Sequence, residues 1–138
     1  MTVQGGMLRM DTAGNGEIVD LTDGVARVLA TAGIDRGLAS VFARGSTVAV
    51  TTMEYEPGVV RDLTELLQRL VPVGAEYHHD RLNHDSNGHA HLCAALIGPS
   101  ETVPIIDGRL ALGTWQQLVL IDFDDRPRTR TVSVQILA

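Results

Sequence analysis

Leu110-Ala-Leu-Gly-Thr-Trp-Gln-Gln-Leu-Val-Leu-Ile-Asp-Phe123 is the stretch from which the fold can be read. From Leu118 to Ile121 four apolar residues follow one another. A strand there carries apolar side chains on both faces and belongs in the interior. Residues 110–123 are therefore expected to form one long central strand. Residues 131–137 alternate instead: Val132, Val134 and Ile136 turn one way, Ser133 and Gln135 the other, as in a strand with one wet face. Upstream, Asp107-Gly108 is a hairpin signal. It follows a strand over 102–106 whose Pro104 points to an edge or a bulge.

Pro57 can open a helix, because a missing N–H costs little in the first turn. Val59, Leu63, Leu66, Leu67 and Leu70 form its apolar stripe, expected to be buried, and Pro72 ends it. An earlier helix has Thr22 as candidate N-cap, Val25, Val28, Leu29 and Ala32 at helical spacing, and Gly33 at the C′ position. The apolar run after His89 reads as a third, short helix stopping at Gly98-Pro99. Residues 7–10 and 46–54 read as strands, with a turn at Gly14-Asn-Gly16. On the 46–54 strand Ser46, Thr52 and Glu54 share a face with Val48 and Val50. The sum is one α+β domain over residues 1–138: a mixed or largely antiparallel sheet packed with two to three helices.

With 138 residues the chain can bury one respectable core, and 44% hydrophobic with 20% charged residues is ordinary for a globular protein. A net charge of −6 disfavours nucleic acid and anionic membranes as partners. No apolar run approaches the roughly 20 residues that cross a bilayer. The first residues lack the pattern of a secretory leader, and the single cysteine, Cys93, cannot pair within the chain. The expected location is the cytoplasm. All eleven basic residues are arginine, which excludes Schiff-base chemistry and the lysine of a phosphate-binding loop. A bound phosphate must be met by arginine, backbone N–H groups or a metal.

All five histidines lie between His78 and His91, in Glu76-Tyr-His-His-Asp80 and Asn87-Gly-His-Ala-His91. Imidazole is the commonest metal ligand and titrates near neutrality, so this is the strongest chemical signal in the chain. His89 and His91 face one side on extended backbone and point apart on a helix. Asp80 can orient an imidazole or can be a plain turn residue. Neither zinc-protease nor deaminase spacing is present, and His84 reads as a surface residue. Trp115, after Gly113-Thr114, is either a core or interface anchor or a ring for ligand stacking. Arg126, Arg128 and Arg130 beside Asp122, Asp124 and Asp125 form either a solvated ion-paired turn or an anion clamp.

These motifs together resemble the YjbQ-like family, whose members are often described as secondary thiamine-phosphate synthases. The likeness is carried by Glu54…Pro57…Asp62, Val71-Pro…Tyr77-His-His-Asp80, Asn87-Gly-His-Ala-His-Leu…Gly98, and above all Gly108-Arg-Leu-Ala-Leu-Gly-Thr-Trp-Gln116. Arg128 and Arg130 match the closing Pro-Arg-x-Arg element. The resemblance implies an α+β homotrimer with sites near subunit boundaries. It implies a pocket to which Glu54, His79, His91 and Gln116 contribute as catalytic groups, and Ser46, Thr47, Asn87, Thr114, Trp115 and Arg128 as ligand-binding groups. The implied reaction joins a pyrimidine pyrophosphate to a thiazole phosphate and releases pyrophosphate, so the ligand is small and phosphorylated. A divalent metal, zinc or magnesium, would sit on His79 and His91 with His89 as substitute ligand. The chain departs from the family pattern where His-Thr-Thr becomes Gly45-Ser46-Thr47, Asn-Glu becomes Met53-Glu54, and the usual lysine becomes Cys93. The alternative is a trimeric small-ligand or metal-binding protein without turnover.

Overall fold

Leu118 and Leu120 turn to one side of a strand over Gln117–Asp122, and Val119 and Ile121 to the other; each pair is buried in a different core. That double burial organises the chain. The computed structural model describes residues 1–138. Its elements in order are β1 (Val3–Thr12), β2 (Glu17–Asp20), α1 (Thr22–Ala32), β3 (Gly37–Ala43), β4 (Val48–Met53) and α2 (Pro57–Leu70). Then come α3 (His78–Asn83), α4 (Gly88–Ile97), β5 (Ser100–Ile106), β6 (Arg109–Leu110), β7 (Gln117–Asp122) and β8 (Arg128–Leu137).

The strands form two antiparallel sheets. One runs β1-β8-β3-β5-β6 and the other β2-β7-β4. The first core lies between the sheets. Val132, Val134 and Ile136 of β8 and Ala39, Val41 and Ala43 of β3 meet Leu118, Leu120, Val48 and Val50 there, with Val25 and Leu29 of α1 packed in. The second core lies on the opposite face of the three-stranded sheet, where Ala49, Val119 and Ile121 meet Ala90, Cys93 and Ala94 of α4. The molecule is thus sheet, sheet, helix in layers, an α+β fold as expected. No helix is long and apolar enough to cross a membrane.

Several local expectations are corrected. The central strand does not run from 110 to 123. It is interrupted by a turn in which Gln116 N–H donates to Gly113 O (3.0 Å) while Gly113 N–H donates to Gln116 Oε1 (3.0 Å). The side chain that closes this loop does so at the cost of continuing the ladder. Thr22 is the first residue of α1 rather than its cap. Asp20 Oδ1 takes the Thr22 N–H (2.9 Å), and the Thr22 hydroxyl accepts from Leu118 N–H (3.0 Å), tying α1 to β7. There are four helices, because residues 78–83 make a turn and a half that His84 ends in the left-handed region (φ 51°). Strand β2 was not anticipated, and β1 is longer than residues 7–10. Helix α2 buries none of its stripe completely: Leu63 and Leu67 are half-buried, and Leu66 and Leu70 are exposed.

Other signals hold. Asp107 and Gly108 both take positive φ (50° and 70°), the conformation a two-residue hairpin turn requires. Pro104 sits just past the β5–β6 pairing at Ile105 and Ile106, where its carbonyl accepts the Ala111 N–H (2.8 Å) and no N–H of its own is needed.

Candidate functional site: a histidine pair beside a buried arginine–aspartate network

The polar segment after Pro72 folds back through α3 and α4, which brings His79 and His91 together with ring centroids 4.4 Å apart and planes tilted by 40°. Asp80 Oδ1 lies 3.0 Å from His79 Nδ1 and also accepts the Gly88 N–H at 2.8 Å. The hydrogen bond from His79, joined by that from Gly88, holds the Asp80 carboxyl below its ordinary value against a partial burial that would raise it. An ionised Asp80 accepts a hydrogen bond from Nδ1–H, which fixes the tautomer and leaves Nε2 of His79 as the reactive nitrogen. Asn87 caps the start of α4 without a side-chain bond, and its buried Oδ1 accepts no hydrogen bond. A buried acceptor left bare is costly, and this one is sealed inside the chain at the foot of α4 rather than open to a pocket.

The loop between α3 and α4 is pinned to the turn after β7. Ser86 Oγ bonds Asp125 Oδ2, and Arg126 Nη2 reaches Asp85 at 3.3 Å. Beneath that turn lies the most buried polar network in the protein. Arg130 meets Asp122 twice, Nε to Oδ2 at 2.6 Å and Nη2 to Oδ1 at 2.8 Å. Thr12 donates to Asp122 Oδ2 (2.5 Å), and Thr47 Oγ1 accepts from Arg130 Nη2 (2.8 Å) while donating to Asp124 Oδ2 (2.9 Å). Burial would push Asp122 up, but the bonds from Arg130 and Thr12 outweigh it and hold the carboxyl down. Asp124 is likewise raised by burial but brought down to about 2 by Thr47 and Arg128. The reading of this segment as a solvated turn is therefore corrected for Asp122, Asp124 and Arg130. The missed signal was phase: Arg130 is in step with Val132, Val134 and Ile136, so strand alternation turns it inward.

The residues implied to form one pocket lie at two ends of the β4–β7 ladder. Val48 pairs with Asp122 at one end and Met53 with Gln117 at the other. Ser46 (exposed, its hydroxyl unbonded), Thr47, Arg128, Asn87 and the histidine pair belong to the Asp122 end. Glu54, Thr114, Trp115 and Gln116 belong to the Gln117 end, where Gln116 Nε2 donates to Thr52 Oγ1 (3.1 Å) and Trp115 is 73% exposed. The six residues of β4 separate Thr47 from Glu54, seven steps or roughly 23 Å of extended chain. One chain cannot close these groups around one small ligand.

The implied metal set is also divided. Helix α4 starts at Gly88, so His89 and His91 are both helical and diverge by about 200°. His91 meets His79, whereas His89 turns into an apolar cleft with Cys93. No three His, Cys, Asp or Glu side chains converge within the chain, so His79, His91 and His89 do not form the donor set a structural or catalytic zinc requires. Gly45, where the family pattern has histidine, has φ 143°, and a Cβ there would come within 2.8 Å of Arg130 Nη1.

Comparison with known proteins gives one consistent result. The family model described as "UPF0047 protein YjbQ-like" matches residues 7–138. A UPF0047 protein of Archaeoglobus fulgidus is 45% identical over 130 residues, covering 94% of this chain and 98% of that protein. One from Mycobacterium tuberculosis H37Rv is 44% identical over 125 residues, 88% of this chain and 90% of the relative. The crystal structure of a hypothetical protein from Aeropyrum pernix superposes with a TM-score of 0.90 at 34% identity, covering 100% of this chain and 99% of the other. A YbjQ-like protein of unknown function from Sulfolobus solfataricus gives 0.89 at 28% identity, covering 99% of both.

Proposed function

The chain belongs to the YjbQ-like UPF0047 family, and from that premise we propose that it is a cytoplasmic homotrimer with thiamine-phosphate synthase-like transferase activity. The observation that carries this reading is the His79–His91 pair, with Asp80 fixing one of its rings. In the proposed reaction the thiazole nitrogen forms a bond to the pyrimidine methylene carbon while the carbon–oxygen bond to pyrophosphate breaks. The bonding pair leaves on pyrophosphate, and the imidazole pair supplies the hydrogen bond or proton that its oxygen needs. Arg128 engages Asp124 through Nε alone (3.0 Å), so its outer N–H groups remain for a phosphate oxygen. No step is routed through a metal, because the donor set within one chain does not fit one.

A trimer supplies what the single chain lacks. The outer face of the five-stranded sheet exposes Val3, Met7, Leu38 and Phe42, an apolar surface of the kind that marks an association site. A ring of head-to-tail contacts can set the Glu54–Gln116 end of one copy against the histidine pair of the next.

The alternative reading is a trimeric small-ligand or metal-binding protein without turnover, favoured by the loss of the family's histidine at Gly45 and of its lysine at Cys93. The deciding experiment supplies both substrates, with and without zinc or magnesium, and measures thiamine phosphate and pyrophosphate. Loss of an acid–base imidazole costs about 10²–10⁴-fold in rate, so His79→Ala and His91→Ala should each fall by that much with the fold intact. Full activity in either mutant removes that residue from the mechanism. No product from the wild type, together with tight binding of either substrate, selects the alternative.

A further inference from the structure

On the far side of α4 from His91, a cleft of about 200 Å³ lies between α2 and β7. Leu63 and Leu67 of α2 and Ile121 and Phe123 form its walls, and His89 and Cys93, one helical turn apart, share its floor. No aspartate, glutamate or arginine lines it. His89 is only 6% exposed, and its ring nitrogens, unbonded within the chain, are not sealed off but keep access to the cleft. An imidazole enclosed on every side but the cleft can be bonded only by what occupies the cleft, water or a ligand. An apolar cavity of about 150 Å³ is enough to hold benzene.

We propose that this cleft is a second binding site, separate from the His79–His91 pair, for an uncharged molecule of one or two rings with a single hydrogen-bonding group, recognised by His89. The absence of any charged lining residue argues against an ionic ligand, since a charge moved there would lose its hydration without a counter-ion. The site binds rather than reacts. Burial pushes the Cys93 thiol up, which keeps it protonated and a poor nucleophile. The half-buried stripe of α2 agrees with this, since Leu63 and Leu67 pack against the margin of the second core and also line the cleft.

Indole and its isostere indene test this on the full-length protein by calorimetric titration. They share shape and apolar surface, and only indole carries an N–H for the imidazole to accept. Saturable binding of both at one per chain is expected, with indole about 3- to 10-fold tighter, the range one net hydrogen bond allows. His89→Leu should keep indene binding and erase the preference. Thr64→Trp, placed on the exposed side of α2 at the cleft mouth, should weaken both ligands without touching the core. His79→Ala should change neither. Absence of saturable binding by the wild type up to the solubility limits overturns the site. An indole preference that survives His89→Leu overturns the role of His89.

Discussion

Arg130 and Asp122 hold each other through two hydrogen bonds where water does not reach, so neither charge can be removed without stranding the other. Replacing Asp122 with alanine should cost about 3–5 kcal/mol in chemical denaturation, the usual consequence of leaving one member of a buried pair alone. Asp11, which meets Thr129 at the exposed edge (2.7 Å), should tolerate alanine with a change below about 0.5 kcal/mol. The network also sets an acid limit. Asp124 sits at about 2 in the folded protein against an ordinary 3.8. A depressed carboxyl contributes stability that is complete above its unfolded value and lost as pH falls through the folded one. Stability should therefore decline between about pH 4 and pH 2, and Asp124→Asn should flatten that part of the profile. At position 45 the backbone φ of 143° and the nearby Arg130 guanidinium oppose any side chain. Gly45→His should cost about 1–3 kcal/mol, so the family imidazole cannot be restored here without disturbing the Asp122 network.

At the scale of the element, helix α2 shows which sequence signals carry energy. Glu56 caps it by accepting the Val59 N–H, and Glu56→Ala should cost about 1 kcal/mol. Leu118 is fully buried between the sheets, so Leu118→Ala should cost about 2–5 kcal/mol, whereas Leu66→Gln on the exposed side of α2 should cost less than about 0.5. Denaturant titration of the three variants checks the order. Helical periodicity correctly located α2, but it could not say which part of a wide apolar stripe meets the sheet, because that depends on where α2 lands on β7. The phase of α4 is the same lesson in smaller compass. Starting the helix at Gly88 sends His89 to one side and His91 to the other, and a boundary two residues later would have changed the site.

For the whole molecule, the proposed trimer makes the sheet face a test surface. Phe42→Arg should leave the secondary structure unchanged and reduce the mass measured by light scattering towards that of one chain. An unchanged mass would place the interface elsewhere, and a wild type that is already monomeric would remove the trimer. What the sequence determined by itself is what local chemistry controls: the interior position of 118–121, the alternation of 131–137, the turn at Asp107-Gly108, the span of α2 and the family motifs. Each depends on residue type and spacing within a few positions. Only the tertiary structure decided that the strands divide into two sheets, that Arg130 and Asp122 are buried together, and that His79 meets His91 while Glu54 and Gln116 lie at the other end of the ladder. Those facts follow from pairings between residues far apart in the chain, such as Asp122 with Val48 and Arg130 with Thr47. Their energies come from burial and mutual hydrogen bonding, which no local pattern encodes.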